Sequence, residues 1–247
     1  MSFSYFQLCD IIQTSRFHTI KIESDGGQSL QNLKFVIFDM DGLLFDTEMI
    51  SYRSISKALK DHHAIDFPMA IYKQTIGMDV AGTEDFFRTE YGNEVSFQAI
   101  SDCYSQTFKE ILDAEGLTIK PGAIRLLDHL DKLGLKRCIA SSSSLKTIEN
   151  YLNMSGLKDR FDFYLSGDEV ENGKPAPDIF LEACRRAGES PADALVLEDS
   201  VNGFRAAKSA HIDCIVVPDL IEPTDEINQH AYTVVPSLEK VIQIIHK

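Results

Sequence analysis

Phe35-Val36-Ile37-Phe38-Asp39-Met40-Asp41-Gly42 is the stretch on which the reading of the whole chain turns. Four apolar β-formers in a row predict a strand covered on both faces, as in a parallel sheet between helical layers. Two carboxylates and a glycine follow at once. Working outward, similar apolar runs recur at 136–140, 161–165, 194–197, 212–217 and 231–235, with helical stretches between them. The segment 121–134 opens on Pro121 and closes on Gly134, the usual start–stop asymmetry of a helix. Its Ile124, Leu127, Leu130 and Leu133 are expected to line one face. Helices are also expected at 145–154, 177–187 and 200–210. From residue 33 the order is therefore one strand, a long helical interlude, then strict alternation of strand and helix. That order predicts an α/β fold, a doubly wound parallel-sheet (Rossmann-like) core with right-handed crossovers and a small α-helical cap inserted after strand one.

The interlude shows no convincing strand. Tyr52, Ile55 and Leu59 share a helical face, and 96–114 reads as a second helix. The expected division is a core of 33–47 and 120–247, a cap of 48–119, and an N-terminal extension of 1–32. The extension ends in Ser24-Asp25-Gly26-Gly27-Gln28-Ser29, which has linker chemistry and suggests loose attachment.

The 247 residues suit one domain with an insertion. Lys and Arg number 24 against 38 Asp and Glu, a net charge of −14. Such a surface repels phosphate backbones and anionic lipid, so neither nucleic acid nor membrane is an expected partner. No stretch approaches the ~20 apolar residues of a membrane span. The N-terminal apolar run lacks a cationic lead and contains Gln7 and Asp10, unlike a signal peptide. Five widely spaced cysteines without a Cys-x-x-Cys pair suggest reduced thiols and a cytoplasmic protein. A monomer is the default expectation.

In open α/β sheets ligands gather at the carboxyl ends of the strands. Four successive ends here carry Asp39-Met40-Asp41-Gly42, then Ser141-Ser142-Ser143-Ser144, then Gly173-Lys174-Pro175, then Glu198-Asp199-Ser200. Each has an ordinary reading when taken singly. Asp-x-Asp-Gly is turn chemistry, the serines and Glu-Asp-Ser are helix caps, and Lys174 is a surface lysine. Their placement at four ends of one sheet points instead to a single site.

Phe38 to Thr47, Ser141, Gly173 to Asp178 and Glu198-Asp199-Ser200 together resemble the four motifs of the haloacid dehalogenase-like hydrolase superfamily. The closer likeness is to its phosphatase and β-phosphoglucomutase-like branch, with a helical cap after strand one. It covers residue 33 to the C-terminus. The resemblance implies a magnesium-dependent phosphatase acting on a small phosphorylated metabolite, a sugar phosphate or nucleoside-type monophosphate. Asp39 would be the nucleophile that forms an aspartyl-phosphate, and Asp41 the general acid and base, in an environment that raises its pKa when substrate is bound. Lys174 and Ser141 would be catalytic partners. The N–H groups of Gly42 and Ser142 would cradle the phosphate. Metal ligands would be Asp39, Asp41 through its backbone carbonyl, and Asp199, with Glu198 nearby. Asp41 separates this chain from dehalogenase and phosphonatase relatives, which carry a non-acidic residue there.

In the cap, Glu48, Ser51 and the loop around Gly77-Met78 are candidate substrate contacts. Glu48 is also favourable simply as an acid in a first helical turn. Mutases of this branch usually carry a histidine where this chain has Ser51, which favours a phosphatase over the alternative, a sugar phosphomutase. An inactive regulatory homologue is disfavoured because Asp39, Asp41, Ser141, Lys174 and Asp199 are all present.

Overall fold

Every residue of β1 (Phe35–Phe38) is buried. The two-residue period of a strand sends Phe35 and Ile37 to one face and Val36 and Phe38 to the other. The structure, a computed structural model, describes residues 30–76, 80–92 and 95–246. The extension up to residue 29 and the Gly77-Met78 loop lie outside the described residues. Leu30–Asn32 forms a short 3-10 turn, from which Leu30 packs against the core.

β1 is flanked by β2 (Lys136–Ser141) and β4 (Ala194–Glu198), and β3 (Phe163–Ser166), β5 (Asp213–Val216) and β6 (Thr233–Val234) complete the sheet. The order is β3-β2-β1-β4-β5-β6, with every neighbouring pair parallel. Phe38 stands opposite Ile139 on β2 and Leu197 on β4. The next residues along, Asp39, Ala140 and Glu198, therefore lie at one level at the carboxyl ends of their strands.

Between β1 and β2 come α1 (Glu48–His63), α2 (Met69–Thr75), α3 (Val80–Tyr91), α4 (Phe97–Glu115) and α5 (Ala123–Leu133). The first four share a cluster of their own, built on Ala58, Leu59, Phe67, Tyr72, Phe87 and Ile100. Phe67 stacks on Phe87 at 5.8 Å between ring centres. α1 runs along α4, which Ser96 caps by accepting from the Ala99 N–H. Periodicity points only to α1 and α4. α2 has seven residues, too few for a helical repeat to show against its surroundings. The two passages between cap and core lie side by side: the Asp46 N–H donates to Thr118, and the Lys120 N–H donates to Leu44.

α5, α6 (Leu145–Ser155) and a late short helix cover the face lined by Val36 and Phe38. α7 (Asp178–Ala187), α8 (Val201–Ser209) and α9 (Asp225–His230) cover the other, and α10 (Leu238–Val241) is the late helix beside α5. The expected buried face of α5 needs correction. Its buried residues are Ala123, Leu126, Leu127 and Leu130, while Ile124 is 47% exposed. A spacing of three falls short of a 3.6-residue turn, so a run of threes drifts round the helix.

Leu127→Ala should therefore cost about 2–5 kcal/mol of unfolding free energy in urea. Ile124→Ala should stay within about 0.5 kcal/mol of the unaltered chain. Equal losses at the two positions would place the core on the wrong face of α5.

Candidate active site

Asp39 leaves β1 with its N–H still donating to Leu197 of β4, so the sheet fixes its backbone. Its side chain points inward and meets the ammonium of Lys174 at 2.5 Å. The same ammonium reaches Glu198 Oε1 at 2.6 Å and the Ala140 carbonyl at 3.1 Å. Three hydrogens thus have three acceptors, and the side chain of Lys174 is only 6% exposed. Phe180 of α7 lies beneath it, 5.0 Å from the ring centre. The other oxygen of Glu198 accepts from the Asp199 N–H, the Ser200 N–H and the Ser200 hydroxyl. Glu198 is fully buried. Gly203 makes room for it, since a Cβ there would come within 1.7 Å of Glu198 Oε1.

Asp41 is held by two hydroxyls. Thr47 donates to Oδ1 at 2.9 Å, and Ser143 to Oδ2 at 2.7 Å. Ser141 is buried, accepts from the Ser143 N–H at 3.0 Å, and adds a third hydroxyl beside the Asp41 carboxyl. Ser142, beside it, is exposed. The expected role of the Gly42 N–H is not available, because that group already donates to the Phe45 carbonyl at 3.0 Å. Gly42 matters sterically instead. It has φ +79°, and a Cβ would lie 2.2 Å from Asp199 Oδ2. Only a residue without a side chain lets the loop pass this close to Asp199.

In the cap, Tyr72 donates a short hydrogen bond to Glu48, and Ser51 pairs with the Tyr104 hydroxyl at 3.2 Å. Sequence reading assigns no individual role to Thr47, Ser143, Tyr72 or Tyr104. Thr47 and Ser143 sit inside motifs already recognised, but a cap tyrosine carries no motif. The strand-end rule also reaches Asp219, beyond β5, although nothing in its neighbours singles it out.

The charge balance decides what else the site can hold. Burial raises the Asp39 carboxyl to about 8, with Lys174 pulling it down and Glu198 and Asp41 pushing it up. Burial also raises Asp41, against the hydroxyls of Ser143 and Thr47. Asp199 is driven well above the carboxylate range by burial and by Glu198 and Asp39. Burial opposes the charge on Lys174, yet Asp39 and Glu198 hold its pKa above the ordinary lysine value. One ammonium does not neutralise this group. Oxygens of Asp39, Glu198 and Asp199 all lie within 4.8 Å of one another. An all-carboxylate set short of positive charge fits a hard divalent cation.

Residues 33–211 match the family model described as haloacid dehalogenase-like hydrolase. The chain belongs to that family. This haloacid dehalogenase-like chain is 35% identical over 217 residues to a Drosophila melanogaster protein named "Probable pseudouridine-5'-phosphatase", covering 85% of this chain and 91% of the other. It is 33% identical over 205 residues to the Arabidopsis thaliana (DL)-glycerol-3-phosphatase 1, covering 79% and 67%. Among solved structures, CbbY from Rhodobacter sphaeroides in complex with phosphate superposes with a TM-score of 0.71 at 26% identity, covering 85% of this chain and 96% of the other. By this kinship the chain is an enzyme, a phosphoric monoester hydrolase of the haloacid dehalogenase-like type. Among the described residues no helix is long and apolar enough to cross a membrane.

Removing one partner of a buried ion pair strands the other. Lys174→Met should cost about 3–5 kcal/mol in urea denaturation at neutral pH without divalent ions. A loss below about 1 kcal/mol would mean that the carboxylates do not depend on this ammonium.

Proposed function

We propose that this enzyme hydrolyses a small phosphate monoester with an uncharged, polyhydroxylated leaving group, such as a sugar or nucleoside, with a magnesium ion as cofactor. The observation that carries the reading is the pair of carboxylates on one loop, Asp39 against the buried ammonium of Lys174 and Asp41 between two hydroxyls. An Asp39 oxygen attacks phosphorus, the ester P–O bond breaks, and Asp41 gives its proton to the leaving alkoxide. Burial favours the protonated form of Asp41 that this step needs. Asp41, now a carboxylate, takes a proton from water as that water attacks the aspartyl-phosphate. The Asp39–phosphorus bond then breaks, giving inorganic phosphate and restoring both groups. Asp41 alternates between donor and acceptor, and the hydroxyls of Thr47 and Ser143 can turn to suit either state. Lys174 neutralises the nucleophile, while the Ser141 hydroxyl, turning from Asp41, and the Ser142 N–H hold phosphate oxygens.

Asp39, the Asp41 carbonyl and Asp199 would hold magnesium, with Glu198 oriented behind them by Lys174 and α8. Bound there, the ion would offset the repulsion between the nucleophile and the phosphate. Glu198 already has both oxygens engaged, so its part is to hold Lys174 and the Asp199–Ser200 backbone in place.

The segment 48–119 acts as the cap that covers the leaving group. Among its described residues, Glu48, raised by burial, and Tyr104 feel the charge of Asp41, and their hydrogen-bond partners are Tyr72 and Ser51. These suit sugar hydroxyls, whereas a second phosphate needs a cation. The histidines of α1 stand at its far end, His62 and His63, and Ser51 offers no imidazole for a mutase reaction. Names among the relatives, a pseudouridine-5'-phosphatase and a glycerol-3-phosphatase, agree with a hydroxylated leaving group.

Phosphate release from a panel of sugar phosphates, nucleoside monophosphates and one bisphosphate, with magnesium and with chelator, tests this directly. Monophosphates should turn over only with magnesium. Asp39→Asn should abolish release, and Asp41→Asn should lower kcat roughly 10²–10⁴-fold. Isomerisation of β-glucose 1-phosphate without phosphate release would make the enzyme a mutase instead.

A pH dependence also follows. The Asp39 pKa is raised from 3.8 to about 8, so between those values the folded state binds more protons than the unfolded. The stability it contributes is complete below the unfolded value and is lost as pH rises through the folded one. A cation must displace that proton. The rise in melting temperature caused by magnesium should therefore grow between pH 5 and 8, read by calorimetry. A shift independent of pH would exclude Asp39 as a ligand.

A further inference from the structure

The loop that leaves β5 carries a buried carboxylate outside every motif of the site. The side chain of Asp219 is 9% exposed. Its Oδ1 accepts from the Lys120 ammonium at 2.5 Å. Its Oδ2 is buried and meets no hydrogen-bond donor. That free oxygen is aimed at the site. A Cβ built on Gly42 would lie 3.5 Å from Asp219 Oδ2 and 2.2 Å from Asp199 Oδ2. Two carboxylates thus converge on the space that glycine leaves open.

A buried acceptor without a donor is costly, and a second carboxylate facing it makes the cost larger. A donor placed between them would remove both penalties. Asp219 is also held firmly in position. Lys120 grips it from the returning passage between cap and core, where the Lys120 N–H donates to Leu44. Leu220, the next residue, packs on the cap cluster. A carboxylate fixed from both sides, with one oxygen left free and turned toward Asp199, is built to receive a hydrogen bond from something at the cation site. Magnesium retains several of its waters, and hydration water is the donor that fits.

We propose that Asp219 is a positioning residue of the cation site, its free Oδ2 accepting a hydrogen bond from hydration water of the ion held by Asp39 and Asp199. This rests on the magnesium reading above. Lys120 fixes the carboxylate, so that the passage returning from the cap and the hydration shell of the cation share one ion pair.

The test is Mn²⁺ binding to the full chain without substrate, read from the free-ion signal in electron paramagnetic resonance, with Mg²⁺ as competitor. Asp219→Asn keeps the shape and removes the charge. It should weaken Mn²⁺ binding roughly 10–100-fold, with the circular dichroism spectrum in chelator unchanged. Glu222→Gln removes the same charge from an exposed position in the same loop and should leave binding as it was. If Asp219→Asn does not fold, Asp219→Ser carries the same expectation. Binding by the Asp219 variant within twofold of the unaltered chain overturns the proposal, as does an equal loss in Glu222→Gln. If the unaltered chain takes up no Mn²⁺, the cation reading itself fails and this proposal with it.

Discussion

One ammonium group shared by two buried carboxylates is the constraint around which the site is organised. Lys174 reaches Asp39 and Glu198 from a loop beyond β3, and its third hydrogen closes on the Ala140 carbonyl. Buried ions are costly unless paired and fully hydrogen-bonded, and here every oxygen of Glu198 and every hydrogen of Lys174 has a partner. The consequence is rigidity. Glu198 fixes the Asp199–Ser200 backbone at the start of α8, Lys174 fixes the Asp39 carboxyl, and Gly203 is confined to having no side chain. Three carboxylates, of Asp39, Glu198 and Asp199, thus gather around a single ammonium, a set whose chemistry suits a divalent cation.

The parallel sheet supplies the geometry that this arrangement needs. β1 lies between β2 and β4 in matched register, so Asp39, Ala140 and Glu198 emerge side by side without any loop having to reach far. Loops carry functional groups well when a rigid scaffold positions them. Ser143 illustrates the point. It lies two residues beyond the end of β2, and its hydroxyl closes on Asp41 while its N–H holds Ser141.

The cap contributes a different chemistry. Its core is rich in aromatic rings and separate from the two sheet layers, and among the described residues it carries the Glu48–Tyr72 and Ser51–Tyr104 hydrogen bonds. The two passages that join it to the core are hydrogen-bonded to each other, and Lys120 ends the second of them on Asp219. The cap is thus tied to the core at a point adjoining Asp199.

The alternation of strands and helices in the core, the burial of β1 and the placement of Asp39, Asp41, Ser141, Lys174 and Asp199 at the carboxyl ends of the strands were legible in the chain itself. They follow from local rules: apolar runs of strand length, Pro and Gly at helix ends, and the placement of polar residues at strand termini. The buried side of α5 was not legible, because a series of threes drifts round a helix and packing selects the face. Nor was the Gly42 N–H, which a loop closure consumes. The pairing of Glu48 with Tyr72, of Ser51 with Tyr104 and of Lys120 with Asp219 joins residues 24, 53 and 99 positions apart. Sequence alone determined which groups could act. Tertiary structure decided which of them meet, because contacts between distant residues depend on packing and not on spacing along the chain.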